Sequence, residues 1–138
     1  MGFTTPCFIR KNTDNIRNRL KELGYYCNPY LGWNNLFTSI FGPTSIYSLD
    51  DDDINGLKEI YDFIDCGTNE ELFLAIAALR DDTDKNQWFT DGDKWILCPE
   101  IKFSTYWVYN DIDVNIDTVH KATVDELIEY FKEKEEQL

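Results

Sequence analysis

The stretch from Thr68 to Arg80 constrains this chain most. Thr-Asn-Glu-Glu leads into eight consecutive apolar residues, Leu72 to Leu79, and Arg80 closes the run. Thr68 and Glu71 have the T-x-x-E spacing of a capping box, in which hydroxyl and carboxylate each take up a free backbone N–H at a helix start. Glu70 and Glu71 fall at the positive end of the helix dipole and Arg80 at its negative end. Apolar residues all round, rather than along one stripe, predict a helix covered on most sides. A helix over 68–80 spans about 18 Å, one domain width and too short to cross a bilayer. The chain should wrap one core around it.

Size agrees. A chain of 138 residues reads as a single domain over 1–138, able to bury roughly 68% of its unfolded surface. With 43% apolar and 15% aromatic residues, the core should be rich in rings, and disorder is not expected. Only the charged tail from about residue 132 should fray.

A first helix is expected over Asp14–Leu23, capped by Asn12 or Thr13. Ile16, Leu20 and Leu23 form its apolar stripe, and Gly24 ends it as a left-handed residue. A last helix over 123–135 opens on a second capping box, Thr123 and Glu126, with Val124, Leu127, Ile128 and Phe131 on one face. Strands are expected at Cys7–Lys11, Tyr25–Cys27, Leu36–Ile40 and Ser45–Leu49, with stops at Asn28-Pro29 and Gly42-Pro43. Trp88–Thr90 and Lys94–Cys98 flank Asp91-Gly92-Asp93, a hairpin signature. Phe103–Tyr109, with Tyr106-Trp107-Val108-Tyr109 at its heart, reads as one more aromatic strand. Residues 57–64 fit helix or strand, with a strand into Asp65 preferred. The fold class is therefore α+β: a mostly antiparallel, aromatic-rich sheet with about three helices packed on it, near 14–23, 68–80 and 123–135.

The charge is lopsided. Formal net charge is −13. Residues 1–30 carry five basic groups (Arg10, Lys11, Arg17, Arg19, Lys21) against Asp14 and Glu22, while the remainder carries eight basic and twenty-four acidic groups. Such a surface repels phosphate backbones, so ordinary nucleic-acid binding is not expected, and a basic partner is. The acidic face would comprise Asp50, Asp51, Asp52, Asp53, Asp81, Asp82, Asp84, Asp91 and Asp93. The basic set Arg10, Lys11, Arg17, Arg19 and Lys21 would serve as an alternative anion-binding face, or meet the chain's own acids.

Reactive chemistry is sparse. Cys7, Cys27, Cys66 and Cys98 are widely spaced, without the close pair of a zinc site, and read as reduced and buried. His120 is the single histidine, and no cysteine spacing favours a pair with it. Walker, dinucleotide and zinc-protease motifs are absent. Asp51 to Asp62 can be laid on a calcium loop, with Asp51, Asp53, Asn55, Glu59 and Asp62 as oxygen ligands and Gly56 at the turn. Position 12 is then the shorter Asp, and Lys58 stands where an apolar residue packs, so a solvated acidic turn is preferred to Ca2+. A looser match over Asp82, Asp84, Asn86 and Asp93 has Gln87 where the turn needs glycine. With no apolar leader segment and no membrane span in the sequence, a cytoplasmic protein is expected.

The stretches Asp65–Phe89, Thr5–Lys11 and His120–Val124 resemble a module in small uncharacterised acidic proteins of gut-bacterial phages and mobile elements. The resemblance covers about half the chain and omits roughly residues 28–60. It implies a setting, a phage or mobile-element protein made inside a bacterial cell, and no activity. The expected function is a non-enzymatic binding protein whose acids engage a basic host-protein surface, as an anti-defence inhibitor by charge mimicry. A small-ligand or nucleotide sponge and a calcium-stabilised structural module are the alternatives.

Overall fold

The computed structural model describes residues 3–27, 31–38 and 45–136. The expected turn at Gly42-Pro43, the stop at Asn28-Pro29 and the end of the strand expected to reach Ile40 lie outside them.

The central helix, α3 (Glu70–Ala77), is covered as its sequence requires: every residue from Leu72 to Leu79 is at most 9% exposed. Helix α1 (Asp14–Leu23), strand β1 (Cys7–Ile9) and helix α5 (Val124–Glu136) all pack on it. Its bounds differ from the expected 68–80. Asn69, not Thr68, is the cap: its side-chain oxygen accepts from the Leu72 N–H at 3.1 Å and its amide donates to the Phe131 carbonyl. The expected Thr68–Glu71 capping box does not form, and Asn69 links the helix start to α5. Glu71 instead pairs with Arg19 of α1 at 2.8 Å. At the other end the helix stops at Ala77, and Gln87 does what Arg80 was expected to do. Buried to 1%, the Gln87 side chain donates to the Ala78 carbonyl and accepts from the Arg80 N–H. Arg80 lies in a bridge to Phe3, its guanidinium 4.7 Å from that ring, and pairs with Asp82.

Two sheets flank this helix instead of one. The first has five strands in the order β2-β4-β3-β1-β5, adding β2 (Tyr26–Cys27), β3 (Asn35–Thr38), β4 (Ser45–Leu49) and β5 (Ile64–Asp65). Its β1–β3 and β3–β4 pairs are antiparallel, and β1–β5 and β2–β4 are parallel. The second sheet has three antiparallel strands in the order β7-β6-β8: β6 (Trp88–Thr90), β7 (Trp95–Leu97) and β8 (His120–Lys121). The hairpin falls where Asp-Gly placed it, with Gly92 at φ +105°.

The described residues hold five helices, not three. Helix α4 (Phe103–Tyr109) replaces the expected aromatic strand. Phe103, Tyr106 and Trp107 recur at i, i+3, i+4 and pack with Phe89 and Cys98, and the Phe103 ring stacks on Phe89 at 4.1 Å. Asp84 supplies the missing cap by accepting from the Phe103 N–H at 2.8 Å. High β-propensity is overridden here by one buried ring and one carboxylate. Helix α2 (Ile54–Glu59) occupies the segment left open between helix and strand. Asp50 starts it, its carboxylate accepting from the Asp53 N–H and its carbonyl from the Ile54 N–H. Ile54 is the buried anchor beside Phe8 and Phe63, whereas Ile60 and Tyr61 are exposed. The preferred strand through residues 60–64 survives only as Ile64–Asp65. The tail continues as helix α5 to Glu136. No helix among the described residues is long and apolar enough to cross a membrane.

Replacing Asn69 with Ala should cost about 1 kcal/mol in urea unfolding, while Thr68→Ala should cost under about 0.5 kcal/mol. Gln87→Leu should cost about 3 kcal/mol, because it strands the Ala78 carbonyl and the Arg80 N–H in the interior.

Candidate functional site

The acids expected to form one binding face fall in three places. Asp50 to Asp53 follow β4 beside the five-stranded sheet, Asp81, Asp82 and Asp84 follow α3, and Asp91 and Asp93 sit at the tip of the β6–β7 hairpin. Most are engaged within the fold. Asp50 starts α2, and Asp51 accepts from the amides of Asn34 and Asn35. Asp82 takes the Arg80 guanidinium through both oxygens. Asp84 caps α4 and meets Lys121 at 3.4 Å. Asp91 accepts from the N–H groups of Lys94, Asn115 and Asp93, which holds its carboxyl down at about 2. Asp81 has an interaction as well. Only Asp52, Asp53 and Asp93 have carboxylates without a partner among the described residues.

The basic set is engaged even more completely. Arg10 contacts Asp65 at 3.1 Å and Asn55 at 2.7 Å, and Lys11 contacts Glu70 at 3.3 Å. Arg17 is held by Asp14 and Asn12, and Arg19 by Glu71. Lys21 alone has no such partner among the described residues. Asp65 illustrates the balance. Burial pushes its carboxyl up, but the Arg10 guanidinium, the Gly67 N–H and Lys58 together bring it below the usual range. The anion-binding expectation therefore meets residues that already hold α1 and β1 against the start of α3.

A cavity of about 220 Å³ lies between α1, α3 and the hairpin, lined by the charged pair Arg19 and Glu71 and by Leu74, Ala78, Trp88 and Leu97. Its lining also includes Glu22, so two carboxylates face one guanidinium, which disfavours phosphate. The calcium-loop residues are not arranged as a loop. Helix α2 begins at the fourth position of the pattern and carries Asn55 and Glu59, and Asn55 is held by Arg10. Among the described residues no three His, Cys, Asp or Glu side chains stand close enough to share a metal ion.

The feature sequence reasoning missed lies on α5. Trp95 of β7 stacks flat on Tyr130, with centroids 4.1 Å apart and planes within 9°. The two rings and the acidic residues Asp125, Glu126, Glu129 and Glu133 line a shallow groove of about 330 Å³. Asp125, Glu129 and Glu133 make no hydrogen bond or ion pair among the described residues. The Nζ of Lys134 lies 4.6 Å from the Tyr130 centroid, so that ring already attracts a cation. The signal was present: residues 126, 129, 130 and 133 recur at i, i+3, i+4, i+7. That period is normally searched for apolar residues, and here it is written mostly in Glu.

Glu126 joins the groove to the fold. It completes the capping box with Thr123, accepting from that residue's N–H at 3.0 Å while its own N–H reaches the Thr123 hydroxyl at 3.2 Å. Its two oxygens also lie 2.8 and 3.0 Å from His120 Nε2, and His120 Nδ1 lies 2.7 Å from the Thr118 carbonyl. The Thr118 carbonyl and an ionised Glu126 can only accept, so both contacts are hydrogen bonds at once only in the imidazolium form, which they therefore favour. The Thr118 carbonyl first, and Glu126 second, raise the His120 pKa above 6.5. Burial would raise Glu126, but the Thr123 N–H and His120 bring it below its usual value.

This His120 linkage stabilises the fold fully below the unfolded histidine pKa of about 6.5 and is lost as pH rises through the higher folded value. The single histidine should titrate above 6.5 by NMR, Glu126→Gln should lower that midpoint, and thermal stability should fall across the same alkaline-side window. A midpoint at or below 6.5 would show that the ring does not hold both contacts. Comparison with protein-family models, with curated proteins and with solved structures finds no match to this chain.

Proposed function

We propose that the chain is a non-enzymatic binding protein that engages a basic surface of a partner protein through the α5 groove. The observation that carries this reading is the set of carboxylates around the Trp95–Tyr130 stack, three of them without a partner among the described residues, with Lys134 resting on the Tyr130 ring. An ammonium or guanidinium over an aromatic face is attracted by the ring quadrupole, and flanking carboxylates add charge complementarity. The aromatic rings suit the methylene stem of Lys or Arg. The net charge of −13 supports attraction at longer range and opposes nucleic acid as the partner.

In the phage or mobile-element setting that the resemblance implies, the partner is a host protein whose basic surface ordinarily holds nucleic acid, and binding inhibits it by charge mimicry. The small-ligand alternative draws on the cavity beside Arg19, but Glu22 and Glu71 in its lining argue against a nucleotide.

The test is capture of the partner from bacterial lysate with the wild-type chain and with Glu129→Gln/Glu133→Gln. Raising salt from 0.05 to 0.5 M should weaken the wild-type complex at least about tenfold. The double variant should bind about tenfold more weakly at low salt and lose much of that salt dependence. A partner held equally by both proteins would remove the groove from the interface, and salt-insensitive binding would remove charge as its basis.

A further inference from the structure

Strand β7 stands at the edge of the three-stranded sheet, and among the described residues no strand covers its outer side. An edge strand leaves half its N–H and C=O groups directed away from the sheet, where another chain can pair with them. Along β7, Trp95 and Leu97 project to the same face, opposite Thr90 and Trp88 on β6. Trp95 lines the acidic groove of about 330 Å³, and Leu97, 48% exposed, lines the neighbouring cavity of about 220 Å³. Two concavities of different chemistry therefore lie in series beside one uncovered edge. They are two residues apart, about 7 Å along a strand. That is the interval at which an extended peptide presents alternate side chains to one face.

We propose that β7 receives an extended basic segment of the partner protein as an added strand. One Lys or Arg side chain lies on the Trp95–Tyr130 stack between the α5 carboxylates, and an apolar side chain two residues away enters the cavity beside Leu97. This inference rests on the binding function proposed above and specifies how the partner docks. Charge complementarity fixes the cationic residue, because the described charged side chains lining the first groove are all acidic. Lys134, 4.6 Å from the Tyr130 centroid, shows that this ring is already used to hold an ammonium group. The apolar wall of Leu74, Ala75, Ala78 and Leu97 fixes the second residue. Register is pinned at both ends. Lys94, paired with Asp113 at 3.2 Å, precedes the strand, and Pro99, which has no N–H to offer, follows it. Main-chain bonds then supply affinity and the two pockets supply selectivity, the usual division in strand addition.

The test is titration of the ¹⁵N-labelled full chain with the capped peptide Leu-Thr-Lys-Thr-Leu, whose symmetric order serves either strand direction. Three peptides serve as controls: one with Glu for Lys, one with Lys and Leu adjacent, and one N-methylated at all three central residues (Thr, Lys and Thr), which removes a donor to β7 in either strand direction. The expected result is a saturable shift of the Trp95 indole N–H, of the Trp95–Leu97 amides and of the residue 129–133 amides. The Glu peptide should produce none. The adjacent-order and N-methylated peptides should bind at least about fivefold more weakly, the equivalent of one lost hydrogen bond. Glu129→Gln/Glu133→Gln should weaken the parent peptide by a similar factor. No binding by the parent peptide, shifts on α5 without shifts on β7, or equal binding after N-methylation would overturn strand addition. A captured partner that still distinguishes wild type from Glu129→Gln/Glu133→Gln would then leave the proposed function standing, and one that does not would remove both.

Discussion

The structure depends on a helix that has no face suited to water. From Leu72 to Leu79 nothing polar interrupts α3, so covering one side leaves the others exposed. Helix α1 and β1 cover part of it, and α5 covers another part through contacts that include Asn69 and Phe131. The last carbonyls of such a helix cannot turn to solvent, which is why a buried glutamine from the following loop must reach back to them. Helix α3 therefore determines where α5 lies. Helix α5 in turn meets the second sheet through Trp88 against Phe131 and Trp95 against Tyr130, and so brings the groove into being.

Electrostatics divides the acids into two populations. Asp50, Asp51, Asp65, Asp82, Asp84 and Asp91 are structural acceptors, each taking up backbone or side-chain donors within the fold. The dense run at 50–53 looks like a binding face in one dimension, but half of it caps a helix and holds Asn34 and Asn35. Of the basic residues in the first thirty positions, Arg10, Lys11 and Arg19 pair with carboxylates from the rest of the chain, and Arg17 pairs with Asp14. Exposed ion pairs of this kind contribute little stability, and their larger effect is to set which elements lie side by side.

Local rules were legible wherever one residue settles one backbone group. Thr13 and Gly24 bound α1 as expected, Thr123 and Glu126 open α5, and Asp91-Gly92 makes the hairpin. Legibility failed where the deciding partner is remote in sequence. Helix α4 has the i, i+3, i+4 spacing of Phe103, Tyr106 and Trp107, but its cap and its stacking partner, Asp84 and Phe89, lie well outside 103–109. Strands β5 and β8, two residues each, are defined only by β1 and β6 beside them. The capping box expected from Thr68 and Glu71 is replaced by Asn69, which also donates to the Phe131 carbonyl of α5, a contact remote in sequence. The groove was half legible, since its helical period was written in the sequence but part of its aromatic lining comes from Trp95 across the fold.

The arrangement of α5 carries a further consequence. Asp125 and Glu126 suit a helix start, where the dipole favours negative charge. Glu129 and Glu133 have no such justification. They lie on one face at a four-residue interval, where like charges repel by a few tenths of a kcal/mol, and Glu133 approaches the end where the dipole disfavours it. Neither gains an internal cation among the described residues, although Lys134 is near enough to be placed on the Tyr130 ring. Asp82 and Asp84, which also lie close together in sequence, each have a donor: Arg80 for the first, the Phe103 N–H and Lys121 for the second. A row that destabilises its own helix and touches nothing in return is under-determined by folding alone. The repulsion between Glu129 and Glu133 is offset by no ion pair among the described residues, so it is borne by the opposite side of the helix, where Leu127 and Phe131 are buried.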